Sequence, residues 1–175
     1  MSPGSPAIRR LEPGEIAGFA PALGALFVDA VEDGASIGYV RGLSVERAAG
    51  YWQAVAAAPN GRVILVGEDA GGVAGVVIAA PIVNEFQPHR AEIFKMVVHR
   101  RARGRGLGAA LMHAAEAELR AMGRSVATLM MRVGCDAERL YRRLGWTKVG
   151  IIPDDSIRPD GVLCDAAIFH KRLAP

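Results

Sequence analysis

Apolar positions along the chain change period several times, and each change marks an element. Ala7 to Leu11 predicts a short opening strand. Beyond Pro13-Gly14-Glu15, the residues Ile16, Phe19, Leu23, Leu26 and Phe27 recur at the spacing of one helix face. Gly34 and Gly38 end that pattern, and Ser44, a good N-cap, opens a second helix predicted through Trp52 toward Ala58. Pro59-Asn60-Gly61 is a turn, after which the period falls to that of strands. Arg62 to Glu68 and Val73 to Ile82 predict a hairpin across Ala70-Gly71-Gly72, and Ala91 to Val98 a third strand.

The helical period then returns. Leu107, Leu111, Ala115, Leu119 and Met122 make one stripe of a helix that Gly123 stops. Val126 to Met131 predicts a buried strand, and Ala137 to Leu144 a short helix closed by Gly145. Trp146 to Ile152 and Val162 to His170 predict two last strands turned at Asp160-Gly161. The predicted order is strand, two helices, three strands, helix, strand, helix, two strands. That is an α/β (α+β) chain, a mixed sheet with helices packed on it, in a single domain over 1-175.

Bulk properties narrow the class without naming a chemistry. A chain of 175 residues suits one full core and no second domain. The longest apolar run, Gly71 to Val83, is too short to span a bilayer and is broken by Pro81, so no membrane association is expected. No signal peptide is read at the N-terminus. Cys135 and Cys164 are too few for a disulfide framework, which points to a reduced, cytoplasmic setting. The four histidines are scattered, so no metal site is expected.

The net charge of +3 matters less than its distribution, because Arg100, Arg101, Arg103 and Arg105 crowd into a loop threaded with glycines. In Val97-Val98-His99-Arg100-Arg101-Ala102-Arg103-Gly104-Arg105-Gly106-Leu107-Gly108 a β-branched strand ends and a helix begins at once. Backbone N–H groups at a helix start have no intrahelical partner, and the helix dipole favours an anion there. Glycines admit a close approach by phosphate, and arginines add forked donors. The pattern predicts a diphosphate site. Gly104 to Ala109 also fits a dinucleotide fingerprint, but that requires an acid at the end of the next strand, where Leu129-Met130-Met131 stands.

Arg103 to Gly108 resembles the [Q/R]-x-x-G-x-[G/A] motif of the GNAT N-acetyltransferases, and Ala137 to Trp146 resembles that family's A-x-x-x-Y-x-x-x-G-[F/W] helix. The resemblance covers roughly Val63 to Leu173. It implies a GNAT fold, with a mixed central sheet of about six to seven strands and about four helices on its faces, splayed between strands 4 and 5 by a bulge. It further implies acetyl-CoA as co-substrate. Met96, Val97 and Val98 would pair with the pantetheine arm, and Arg103, Gly104, Arg105, Gly106, Leu107, Gly108 and Ala109 would wrap the pyrophosphate. Tyr141 would protonate the leaving thiolate; otherwise it is a packed core aromatic. A small-molecule amine would be the acceptor, with a protein N-terminus or lysine left open, and a homodimer would be the common assembly.

Within the family, His89 to Glu92, Gly150 to Pro153 and Arg158 to Gly161 are similar to the tabtoxin-resistance-like branch. Departures at Leu129-Met130-Met131, Gly134 and Asp155-Ser156 lie on the acceptor side, so that branch's substrate does not follow.

An amine must lose a proton before it attacks a thioester. Glu92 is the candidate base: strand alternation places Glu92, Phe94, Met96 and Val98 on one face unless a bulge intervenes. Glu92 lies roughly 20 Å along the strand from Val98, similar to the reach of an extended pantetheine. His89 and His99 are alternatives, and Asp154 or Asp155 could line an acceptor cleft. Lys95, of opposite parity, reads as a sheet-face residue. Two other functions remain open: a non-catalytic acyl-CoA sensor, and a nucleic-acid binder using the arginine run. The second lacks interleaved aromatics, so no nucleic-acid partner is expected.

Overall fold

The computed structural model describes residues 7–173. Its elements follow the predicted order: β1 (Ile8–Leu11), α1 (Ile16–Glu32), α2 (Val45–Ala57), β2 (Val63–Asp69), β3 (Gly72–Pro81), β4 (Arg90–Val98), α3 (Leu107–Ala121), β5 (Val126–Arg132), α4 (Ala137–Arg143), β6 (Thr147–Ile157) and β7 (Leu163–Arg172). The strands form one sheet in the order β1-β2-β3-β4-β5-β7-β6. Only β4 and β5 run parallel, as expected where a helix crosses between them.

Alternation along the central strands feeds two cores. Val63, Leu65, Val77, Ala79, Ala91 and Ile93 face α3 and α4, while Ile64, Val66, Val76, Ile78 and Val97 face α1 and α2. The predicted stripe of α3 is the buried one, with Leu107, Leu111, Ala115 and Leu119 all sealed. Ser44 caps α2 by accepting from the Arg47 N–H at 3.2 Å. α1 and α2 cross closely because Gly24 has no side chain; a Cβ there would lie 2.8 Å from the Val45 carbonyl oxygen.

One predicted boundary moves well along the chain and one short element is new. β6 continues past Ile152 to Ile157, with a register shift between Ile152 and Ser156. Pro153 is tolerated because β6 is an edge strand with no partner on its outer side. A 3-10 turn at Arg100–Ala102, absent from the sequence reading, joins β4 to the loop before α3.

Candidate active site

The sheet opens between its two parallel strands. β4 and β5 pair only at Arg90 with Val126, Ala91 with Ala127 and Glu92 with Thr128, and then diverge. From Ile93 to Val98 β4 keeps β3 on one side and has no strand on the other. A bulge sits in that stretch: Val76 opposes Val97 while Ile78 opposes Phe94, so β4 carries one extra residue. Lys95 absorbs it with a φ of 53°, left-handed backbone that a lysine seldom adopts.

The bulge corrects the expected facing of β4. Phe94 packs with the α1–α2 core, whereas Met96 and Val98 pack with the α3 core. Glu92, Phe94, Met96 and Val98 therefore do not share a face, because the extra residue at Lys95 reverses the alternation.

A cleft of about 1200 Å³ runs from this splay to the start of α3. Met96, Val97, Val98, Arg103, Gly104, Gly106, Leu107, Gly108, Ala109 and Tyr141 line it together. Gly104 and Gly106 have φ of 73° and 84°, and nothing lies within 4 Å of the Cβ either would carry. Gly106 is the N-cap of α3 and offers no capping side chain, so the first N–H groups of the helix stay open to the cleft. That geometry, an unpaired strand edge leading to an open helix N-terminus, fits an extended amide-bearing arm ending in a diphosphate.

Two expected residues lie elsewhere. Glu92 is exposed on the paired part of β4, opposite Ala80 and Thr128, and takes no part in lining the cleft. Arg105 is exposed and also outside the lining. Its neighbours are spoken for. Arg100 Nε donates to Asp29 at 2.5 Å, Arg101 reaches Asp69 at 3.1 Å, and Arg103 pairs with Asp33. Most of the arginine run thus also braces the loop against α1 and β2. His99 is structural too: its Nδ1 accepts from the Arg101 N–H at 3.2 Å and lies 3.4 Å from Asp29.

Tyr141 is 6% exposed, with its ring 6.4 Å from Trp146 and 6.0 Å from Phe169. Burial, helped by the nearby Cys135, pushes its hydroxyl well above the usual tyrosine range. The phenol therefore keeps its proton at physiological pH. The two sequence readings of Tyr141 are compatible: it is a core aromatic and it faces the cleft.

No local pattern marks what the α1–α2 connection contributes. Ser36, Ile37, Gly38 and Tyr39 line the cleft from that side, and Asp155 and Ser156 from β6. Lys95 joins them. Its Nζ donates to the Ile37 carbonyl and lies 5.4 to 6.0 Å from the rings of Tyr51, Tyr39 and Phe27. No carboxylate pairs with it among the described residues, and burial lowers its pKa below the ordinary lysine value. The burial penalty is complete below the folded-state pKa and fades as pH rises toward the unfolded value of about 10.4. Lys95→Met should accordingly raise stability relative to the parent more at pH 7 than near pH 10.5. Urea midpoints at the two pH values check this, and an equal difference at both would show that burial of the charge costs nothing.

Among the described residues no group of His, Cys, Asp or Glu gathers as metal ligands, and no helix is long and apolar enough to cross a membrane.

The chain is similar to known acetyltransferases in sequence and in structure. The family profile described as acetyltransferase (GNAT) domain matches residues 59–148. The ribosomal-protein-alanine N-acetyltransferase of Brucella melitensis superposes with a TM-score of 0.75 at 25% identity, over 95% of this chain and 99% of that one. A Salmonella typhimurium protein assigned as an acetyltransferase and holding its cofactor acetyl-CoA gives 0.76 at 22% identity, over 98% and 96%. A phosphinothricin acetyltransferase of Sinorhizobium meliloti in complex with acetyl-CoA gives 0.77 at 20% identity, over 97% and 89%.

Proposed function

This chain belongs to the GNAT acetyltransferase family, and from that premise we propose that it transfers an acetyl group from acetyl-CoA directly to a primary amine of a small molecule. The observation that carries the reading is the unpaired edge of β4 running into the open N-terminus of α3. Acetyl-CoA supplies a thioester, whose carbonyl is the electrophile. Met96, Val97 and Val98 offer backbone groups to its arm, and Gly104, Gly106, Leu107, Gly108 and Ala109 cradle its diphosphate. Tyr141 holds a proton at Oη for the departing sulfur. The acetyl-CoA complexes of the Salmonella and Sinorhizobium proteins support this assignment. Within the family we assign the chain to the neighbourhood of the tabtoxin-resistance-like branch, as a cytoplasmic homodimer.

The acceptor's proton needs a different home from Glu92. Asp155 lines the cleft and has no ion-pair partner among the described residues. We assign to it the attraction of the cationic amine and receipt of its proton, directly or through water. Asp155→Asn should flatten the rise of kcat/KM with pH, whereas Glu92→Gln should leave the profile unchanged. A flattened profile in Glu92→Gln alone would return the role to Glu92.

Calorimetric titration with acetyl-CoA, with NAD in parallel, tests the coenzyme assignment. Saturable binding of acetyl-CoA alone is expected. Gly106→Val should weaken it about tenfold or more, since a β-branched residue at positive φ costs about 1–3 kcal/mol and puts a side chain into the phosphate cradle. Binding of NAD in place of acetyl-CoA would revive the dinucleotide reading.

A further inference from the structure

We propose that the acceptor is itself an oxyanion, an amine bearing a carboxylate, and that Arg132, Arg158 and Arg41 hold that group in a side cavity of the cleft. The inference rests on the amine-acetylation reading above and narrows its substrate to amino-acid-like zwitterions.

The cavity, of about 210 Å³, gathers arginines from distant segments. Arg41 comes from the α1–α2 connection, Arg132 is the last residue of β5, and Arg158 sits in the β6–β7 hairpin. A backbone hydrogen bond, from the Arg41 N–H to the Pro159 carbonyl at 3.1 Å, ties the first segment to the third. The assembly is thus built by tertiary structure rather than by a run of like charges.

Its hydrogen bonding is incomplete. The Nε atoms of Arg132 and Arg158 are buried and have no hydrogen-bond partner among the described residues. A buried N–H left unpaired costs as much as a lost hydrogen bond, so native structures rarely tolerate it without a ligand or water. The carboxylates nearby offset only part of the charge. Asp160 is ion-paired with Arg158 at 2.9 Å, and Asp33 is engaged by Arg103. Arg41 and Arg132 have no carboxylate partner among the described residues. Planar guanidinium forks match the two oxygens of a carboxylate, and the cavity suits a headgroup of that size.

Position ties the cavity to the reaction. Asp33, Gly34 and Arg132 border both the cavity and the main cleft, so a molecule seated in one extends into the other. Asp155 lies in the same hairpin as Arg158 and faces the main cleft. A carboxylate among the arginines and an ammonium beside Asp155 make the two ends of one zwitterion.

The test follows the arginine Nε–H groups by NMR in isotope-labelled protein, with resonances assigned through Arg132→Gln and Arg158→Gln. Three matched pairs serve as probes: L-alanine with ethylamine, L-norleucine with pentylamine, and L-phenylalanine with phenethylamine. An amino acid of the panel should shift the Arg132 and Arg158 signals saturably, while its decarboxylated partner should not. Thiol release from acetyl-CoA should favour that amino acid by about tenfold or more in kcat/KM. Arg132→Gln should raise its KM about tenfold with kcat little changed, and Arg132→Lys should recover part of that loss.

Signals that move only with acetyl-CoA would assign the arginines to coenzyme phosphates and overturn the proposal. Equal turnover of acids and amines would overturn it too, while leaving the acetyltransferase reading intact. Conversely, shifts with an amino acid but no thiol release from any amine would support the anion site and sink amine acetylation.

Discussion

Tyr141→Phe is expected to lower kcat for amine acetylation by about two to four orders of magnitude, the usual contribution of a positioned general acid. Acetyl-CoA affinity should change little, because the substitution removes one oxygen from a ring otherwise held by packing against Trp146 and Phe169. The physical reason lies in where the sulfur would leave. A thiolate expelled beside the apolar side chains that flank Tyr141 in the cleft, Met131, Ala137, Leu140 and Ala166, loses part of its hydration, and an unneutralised charge there raises the barrier. Tyr141 faces that cleft with a hydroxyl whose proton burial retains. The same burial means that Tyr141 should impose no alkaline loss of activity below about pH 10. Single-turnover kinetics and calorimetry on the variant separate the outcomes. A large fall in the chemical step at constant affinity supports the acid role. Unchanged turnover would reduce Tyr141 to a core aromatic, and a parent protein that binds acetyl-CoA without acetylating any amine would favour the sensor reading.

Most of the fold was legible because each element carries its own local signature. Ser44 announces α2, Gly123 stops α3, and the switch from alternating to helical spacing after Val98 marks the strand-to-helix junction. The glycine-rich strand-to-helix loop was legible for the same reason, since the glycines, the strand before them and the helix after them are contiguous. What escaped depends on partners far away in sequence. The bulge at Lys95 exists only relative to β3, so counting along β4 alone put Glu92 and Met96 on one face. The ion pairs of the arginine run were hidden because Asp29, Asp33 and Asp69 belong to α1, the turn after it and β2. Arg41, Arg132 and Arg158 carried no local signal at all, and only the folded chain brings them to one cavity.

The largest effect on stability should come from Glu116, the one charged or polar residue that is fully buried among the described residues. Its carboxylate accepts from Lys171 Nζ at 2.8 Å through both oxygens, from Trp146 Nε1 at 2.9 Å and from Arg120 at 3.3 Å. Lys171 also donates to the Leu144 carbonyl at 2.6 Å, just beyond the end of α4. One cluster therefore joins α3, the end of α4 and β7, and Tyr141 stands on the short helix it secures. Glu116→Leu would leave the partly buried Lys171 ammonium without its counter-charge, at a cost of about 3 kcal/mol. The indole N–H would lose its acceptor as well. Adding Lys171→Met removes the stranded charge, so the double variant should be more stable than Glu116→Leu alone, a non-additivity that a double-mutant cycle measures. Urea unfolding at constant m gives each value. If Glu116→Leu costs less than about 1 kcal/mol, water must reach the site and the cluster does not lock α4. If it costs the larger amount and acetyl-CoA still binds to the folded fraction, the proposed phosphate site at the start of α3 is independent of the lock around Glu116. A fall in kcat at intact affinity would then report on the placement of Tyr141 alone.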